Sequence, residues 1–278
     1  MNAPAIQPGT PVRISPTVLR LTAPNPGVMT GPGTNTYIVG NGDLTVIDPG
    51  PVIESHIDAI LAAVGARLKR ILCTHTHQDH SPAAIVLKQR TGAELVGLPP
   101  PKDGRQDLTF APDRLPKDGE RFGTGDHAFR AVHTPGHASN QVCWLLESEK
   151  LLFTGDHVMQ GSTVVIRPPD GNMKQYLAAL EKLLPMDIAR FAPGHGHPIE
   201  APHDEVRKLI RHRLGREAKV VAGFAKVNPG TLDDLVPVVY DDVSPSLHPV
   251  AKGSLLAHLD KLREDGRVVV DGERWRLA

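Results

Sequence analysis

The chain has 278 residues, with 31 acidic and 31 basic side chains and therefore no formal net charge at pH 7. A neutral chain exerts no overall pull on nucleic acid or on an anionic membrane, so any such partner must be held by a local patch. Two cysteines exclude a disulfide framework, and no stretch is long and apolar enough to span a bilayer as a helix.

Residues 1–16 are rich in proline and polar side chains and lack the basic start and apolar core of a secretory signal, so the expected location is cytoplasmic. Short β-branched runs at 12–14, 36–39, 44–47, 70–73 and 94–97 predict strands, and helical periodicity predicts helices over 53–66, 81–90 and 173–184. Between them, Gly31-Pro32-Gly33 marks a tight turn just before a strand, placed to approach a site. Residues 99–120 are proline-rich and charged without periodicity, which predicts a long surface loop in reach of a lid role. Cys73 and Cys143 sit in apolar runs and are expected to be buried, reduced thiols.

The most informative run is Thr74-His75-Thr76-His77-Gln78-Asp79-His80, directly after an apolar strand. His75 and His77 are two apart, so at a strand end both can point toward one ion. Asp79 and His80 fall where the chain turns into a helix, with Ser81 as N-cap and Pro82 at the first helical position, and project toward a second ion. Four positions cannot fill two coordination spheres, so further single ligands are expected after other strands. Three places have that form: His137 after Thr134-Pro135-Gly136, Asp156 after Phe153-Thr154-Gly155, and His195 after Ala192-Pro193-Gly194.

In these motifs the chain resembles the metallo-β-lactamase superfamily, whose pattern is HxHxDH followed by a separate His, a bridging Asp and a final His. The resemblance implies an αββα sandwich of two sheets with helices outside. It assigns His75, His77 and His137 to a first metal, Asp79, His80 and His195 to a second, and Asp156 as the bridge. Asp48, in Val46-Ile47-Asp48-Pro49-Gly50, matches the first acidic motif of the superfamily. It is taken with Asp79 among the catalytic groups, as a carboxylate buttressing the ligand loop; a plain turn aspartate is the alternative. His157 and His197 flank ligands and are candidate substrate contacts. Two divalent ions are implied, zinc suiting the imidazole-rich donors best, with iron or manganese also compatible.

Composition places a domain boundary near residue 200, giving a catalytic domain over 1–202 and a second over 203–278. In the latter, helices are predicted over 204–227, from Thr231 toward Tyr240 with Asp234 completing a capping box, and over 249–264. Residues 267–270 and 273–277 flank Asp271-Gly272 as a hairpin. Three helices and a hairpin make a winged helix, and this tail resembles that of the β-lactamase-like protein 2 group. Its third helix mixes Lys252, Lys261 and Arg263 with Asp260, Glu264 and Asp265, so sequence-specific DNA reading is not expected. Arg211 and Arg213, on the more basic first helix, are candidate contacts for a nucleic-acid backbone.

The reaction class implied is hydrolysis by a metal-bridging hydroxide. The resemblance to the endoribonuclease-like subgroup makes single-stranded RNA the expected substrate. A thioester, as in glyoxalase II, or a single-iron persulfide dioxygenase are the alternatives. No membrane partner is expected, and nothing in the residues sets the oligomeric state.

Overall fold

The computed structural model describes residues 4–123 and 127–278; the first three residues of the proline-rich N-terminal stretch lie outside these. The chain forms two compact units that interleave in sequence. One comprises Met1–Thr134, Asn140–Thr163 and Asp187–Pro202, the other Pro135–Ser139, Val164–Met186 and His203–Ala278. The expected boundary at 202/203 is one of the crossings between them.

In the first unit, six strands form one sheet in the order β1 (Val12–Ser15), β2 (Val18–Thr22), β3 (Asn35–Val39), β4 (Leu44–Ile47), β5 (Leu68–Leu72) and β6 (Glu94–Val96). Five more, β7 (Arg121–Phe122), β8 (Phe129–His133), β9 (Val142–Leu146), β10 (Leu151–Gly155) and β11 (Arg190–Pro193), form a second sheet in the order β11-β10-β9-β8-β7. Alternation along the strands divides their apolar side chains into two cores. Tyr37, Ile47 and Leu72 of the first sheet meet Phe129, Trp144 and Phe153 of the second. On its other face the first sheet packs Ile38, Val46 and Ile71 against Ile57 and Ile60 of α1 (Glu54–Val64) and Leu87 of α2 (Ala83–Thr91).

Most strand pairs of the two sheets are antiparallel, but β5 runs parallel to both β4 and β6, and β10 to β11; the site is built after β4, β5, β10 and β11. Parallel neighbours end together, so the turns after these four strands are gathered at strand C-termini. Those turns carry Asp48, the His75–His80 run, Asp156 and His195. Helix α2 starts later than expected: its N-cap residue is Pro82, which has no side-chain acceptor, and the Ser81 hydroxyl donates to Asp107 at 2.7 Å.

The second unit contains α3 (Met173–Leu183), α4 (Pro202–Gly223), α5 (Leu232–Val239), α6 (His248–Glu264) and the hairpin of β12 (Val268–Asp271) and β13 (Arg274–Leu277). The capping box at Thr231 and Asp234 is present, and Gly272 turns the hairpin at φ +57°. Val220 of α4, Phe224 just beyond its end, Leu235 and Val239 of α5, Leu255 and Leu259 of α6, and Trp275 form one core. Truncating Leu255 to alanine in that core is expected to cost about 2–5 kcal/mol, read as a lower midpoint of the second unit's transition in urea.

Candidate metal centre

The geometry starts from Asp48, 2% exposed and held at φ +48°. A non-glycine residue in that region costs on the order of 1–3 kcal/mol and persists only where its surroundings dictate it. Here both carboxylate oxygens are in use. Oδ1 accepts the Thr74 N–H at 2.7 Å, while Oδ2 accepts the Thr74 hydroxyl at 2.7 Å and lies 3.0 Å from His80 Nδ1.

These contacts determine imidazole tautomers. A carboxylate oxygen only accepts, so His80 carries its proton on Nδ1 and turns the Nε2 lone pair away from Asp48. The Thr74 hydroxyl has spent its one proton on Asp48, so His75 Nδ1, 3.0 Å away, is the donor to it and His75 Nε2 is the nitrogen that could bind a metal. His195 follows the same rule, since its Nδ1 faces the Gly33 carbonyl at 3.1 Å. The turn at Gly31-Pro32-Gly33 therefore does reach the site.

Four atoms then surround one point. His80 Nε2 lies 3.4 Å from both Asp79 Oδ2 and Asp156 Oδ1, and His195 Nε2 lies 3.3 Å and 3.4 Å from the same two oxygens. Ligand atoms ~2.0–2.2 Å from a tetrahedral ion stand roughly 3.3–3.5 Å apart, so two imidazoles and two carboxylates are spaced as a ligand set. His80 Nε2 is fully buried and has no hydrogen-bond partner among the described residues, a state that an ion relieves. Beside this set, His75 Nε2 and His77 Nδ1 approach to 2.9 Å, and His75, His80 and Asp156 also group closely enough to share an ion.

Two glycines make the approach possible. A Cβ on Gly194 would stand 2.6 Å from Asp156 Oδ1 and 2.7 Å from His80 Cε1, and one on Gly155 would stand 2.3 Å from the Thr74 hydroxyl. The ligand turns are further tied by Asn35, which donates to the carbonyls of Pro193 at 3.0 Å and Gly196 at 2.9 Å, and by the Thr34 hydroxyl on Asp79 Oδ2 at 3.1 Å.

Residues 99–120 do not take the lid role. Gln106 and Asp107 in their middle are buried against the histidine run: the Thr76 hydroxyl donates to Gln106 Oε1 at 2.8 Å, the Gln78 amide to the Gln106 carbonyl at 2.9 Å, and the Asp107 N–H to the Thr76 carbonyl at 2.7 Å. The segment is a strut for the ligand loop, with Leu108 and Leu115 left exposed.

Other expected site residues fall differently. Asp48 has no oxygen to spare for substrate, so it is a positioning group and not a catalytic one. His157 is fully buried, which excludes a substrate contact, and its N–H donates to the Thr154 carbonyl. His197 lies beyond Gly196 with its N–H on Gln160, outside the ligand set. In the second unit, the His137 turn is seated on the start of α3. Asn172 donates to the Gly136 carbonyl at 2.8 Å, and a Cβ on Gly136 would stand 2.4 Å from Tyr176 Cα. His137 Nδ1 faces the Val165 carbonyl at 2.8 Å, so its proton sits on Nδ1. Arg213, proposed from the sequence as a surface contact, is 3% exposed, donates to the Val164 carbonyl and lies over the Tyr176 ring. Arg211 is exposed, as expected. Thr74, Thr34, Asn35 and Gln106 were not foreseen, because a lone hydroxyl or amide carries no spacing signal.

Without an ion, the imidazoles and carboxylates pair with one another. Burial opposes charge on His195, but Asp156 and Asp79 outweigh it and lift the imidazole to about 10. Burial likewise pushes the Asp79 carboxyl up, and the His80 charge with the His195 hydrogen bond overcome this to hold it at about 2.

The family profile described as the Metallo-beta-lactamase superfamily matches residues 29–195, and that of the Beta-lactamase associated winged helix domain matches 231–275. The chain is 32% identical to a beta-lactamase-like protein 2 homolog from Drosophila melanogaster, the alignment covering 93% of this chain and 91% of the relative. It is 28% identical to an atrochrysone carboxyl ACP thioesterase from Claviceps purpurea, over 83% and 74% of the two chains. A solved beta-lactamase domain protein from Burkholderia ambifaria shares the fold, with a TM-score of 0.82, 21% identity and coverage of 98% and 95%.

Two predictions follow from this geometry. Replacing Gly194 by alanine keeps an allowed backbone but drives a methyl into Asp156 and His80, so metal affinity in a chelator competition is expected to fall roughly tenfold or more. The second concerns pH. The raised His195 stabilises metal-depleted protein fully below its ordinary 6.5, and that support is lost as pH rises through about 10. The depressed Asp79 contributes above its ordinary 3.8 and is lost as pH falls toward about 2. Metal must displace the imidazole proton. The difference in Tm between metal-loaded and chelated protein is therefore expected to widen from pH 6 to pH 8; a constant difference would contradict the pairing described.

Proposed function

Because the chain belongs to the metallo-β-lactamase superfamily and carries its associated winged-helix domain, we propose that it is a hydrolase working with two divalent metal ions on a thioester. The observation that carries the metal reading is the ligand spacing of His80, Asp79, His195 and Asp156, with contacts of 3.3–3.4 Å. The family pattern adds His75, His77 and His137 to the first ion and Asp156 to both. Zinc suits five imidazoles and two carboxylates.

Such ions, when bound, lower the pKa of a water toward neutrality and draw charge from the oxygen of the bond under attack. The chain supplies the rest. Asp79 is 29% exposed at its side chain against 13% for Asp156, so substrate enters on the Asp79 side. The Thr34 hydroxyl aims that carboxylate. Asp79, which stays a carboxylate down to about 2, would hold the ion and accept a hydrogen bond that orients the attacking water, and the thiolate departs without needing a proton.

A thioester is favoured over RNA on two grounds. A relative aligned over most of both chains is described as an ACP thioesterase. The arginine pair that an RNA backbone would need is also broken, since Arg213 is buried against Tyr176. The winged helix is not a DNA reader on this view: the α6 cations are matched by Lys252 with Asp233, Lys261 with Glu217 and Asp265, and Arg263 with Asp260.

The test compares an acyl-pantetheine thioester with labelled single-stranded RNA, each with and without chelator, beside a metal assay of the same preparation. Two zinc ions per chain and chelator-sensitive thioester turnover are expected. In Asp79→Asn and His195→Ala, turnover is expected to fall by ~10²-fold or more with the fold retained by circular dichroism. RNA cleavage without thioester turnover would replace the substrate assignment, and a single iron would replace the hydrolase mechanism.

A further inference from the structure

Behind Asp48 runs a second polar chain that no ligand motif includes. His56, in the first turn of α1, is 1% exposed, and its Nε2 lies 2.9 Å from the Thr36 hydroxyl of β3. That hydroxyl donates its one proton to the Asp48 carbonyl at 2.7 Å. His56 Nε2 must therefore be the donor in the pair, which identifies the neutral Nε2–H tautomer. Burial, opposed by the Pro49 carbonyl, pushes this imidazole down to about 4, in keeping with a neutral ring.

The object these two side chains hold is the Asp48 turn. Its left-handed φ is maintained by the Asp48 N–H on the Leu72 carbonyl at 2.9 Å, by Thr36 on the Asp48 carbonyl, and by the Gly50 N–H on the His80 carbonyl at 2.9 Å. The His56 ring lies against the same turn, with Cδ2 and Nε2 3.4 Å from the position of a Cβ on Gly50. Rotating the Asp48 peptide would swing the carboxylate that holds His80 Nδ1 and Thr74.

We propose that His56 and Thr36 are positioning residues for the metal held by His80, Asp79 and His195: acting through the Asp48 backbone, they aim the carboxylate that locks His80 in its ligand tautomer. The inference rests on the two-metal reading and adds an asymmetry to it. Asp48 contacts His80 directly but reaches His75 only through the Thr74 hydroxyl. Loosening Asp48 should weaken one ion more than the other.

The experiment is a stepwise zinc titration of the full chain against a chromophoric chelator, on wild type, His56→Leu, Thr36→Val, the double variant and His56→Gln. One binding step is expected to weaken roughly tenfold or more in each single variant, with the other step within twofold. The weakened step should be the one that His195→Ala removes. The double variant should be no worse than either single, since both break the same link. His56→Gln, whose amide can donate to Thr36, should recover most of the affinity.

Unaltered zinc binding in both His56→Leu and Thr36→Val would overturn the proposal. So would additive losses, or equal weakening of both steps together with a lowered Tm, which would mark a general packing role. A wild-type chain that binds no zinc would instead remove the two-metal reading itself, with this inference following it.

Discussion

The arrangement of this centre depends on one buried carboxylate. Asp48 takes three hydrogen bonds on two oxygens, from the backbone and hydroxyl of Thr74 and from His80 Nδ1. A buried anion is costly unless it is paired, and here the pairing also orients the groups that pair with it. His80 receives its tautomer directly and His75 through Thr74, so one side chain determines which nitrogen each presents. The left-handed backbone at Asp48 is the strain accepted to bring that carboxylate to the start of the histidine run.

Around this clamp the fold acts by bringing strand ends together. The parallel pairs β4–β5 and β10–β11 release their chains on one side, and each release carries a ligand or the clamp itself. Small residues then set how closely the turns meet. Gly155 and Gly194 leave no room for a Cβ, because Thr74, Asp156 and His80 occupy that space. The 99–120 segment contributes from the side, spending Gln106 and Asp107 on the backbone and hydroxyls of the histidine run. A loop that reads as solvated by composition is thus part of the support for the site.

Much of this was legible in the residues. Strands at 36–39 and 44–47 and the capping box at Thr231 follow from alternation and local hydrogen-bonding rules, and β3, β4 and α5 occupy those places. The helix over 204–227 ends at Gly223 because the chain turns there to build the core with Leu235 and Leu255. Arg213 illustrates the opposite case. The six lysines and arginines of α4 look alike as letters, yet Arg213 is buried between the Val164 carbonyl and the Tyr176 ring while Arg211 faces solvent.

What the sequence determined by itself is the chemistry on offer: imidazoles and carboxylates at strand ends, at spacings that a chain only a few residues long can turn toward one point. Those spacings are local, and local geometry is set by the backbone period. What the tertiary structure decided is how each donor is used: which nitrogen of His75, His80 and His195 carries the proton, why Asp48 buttresses and Asp79 stays open, and why His56 and Thr36 matter at all. These depend on hydrogen bonds between residues far apart in the chain, such as His195 to Gly33 and His80 to Asp48. Such bonds exist only once strand order and register have placed the partners within about 3 Å of each other.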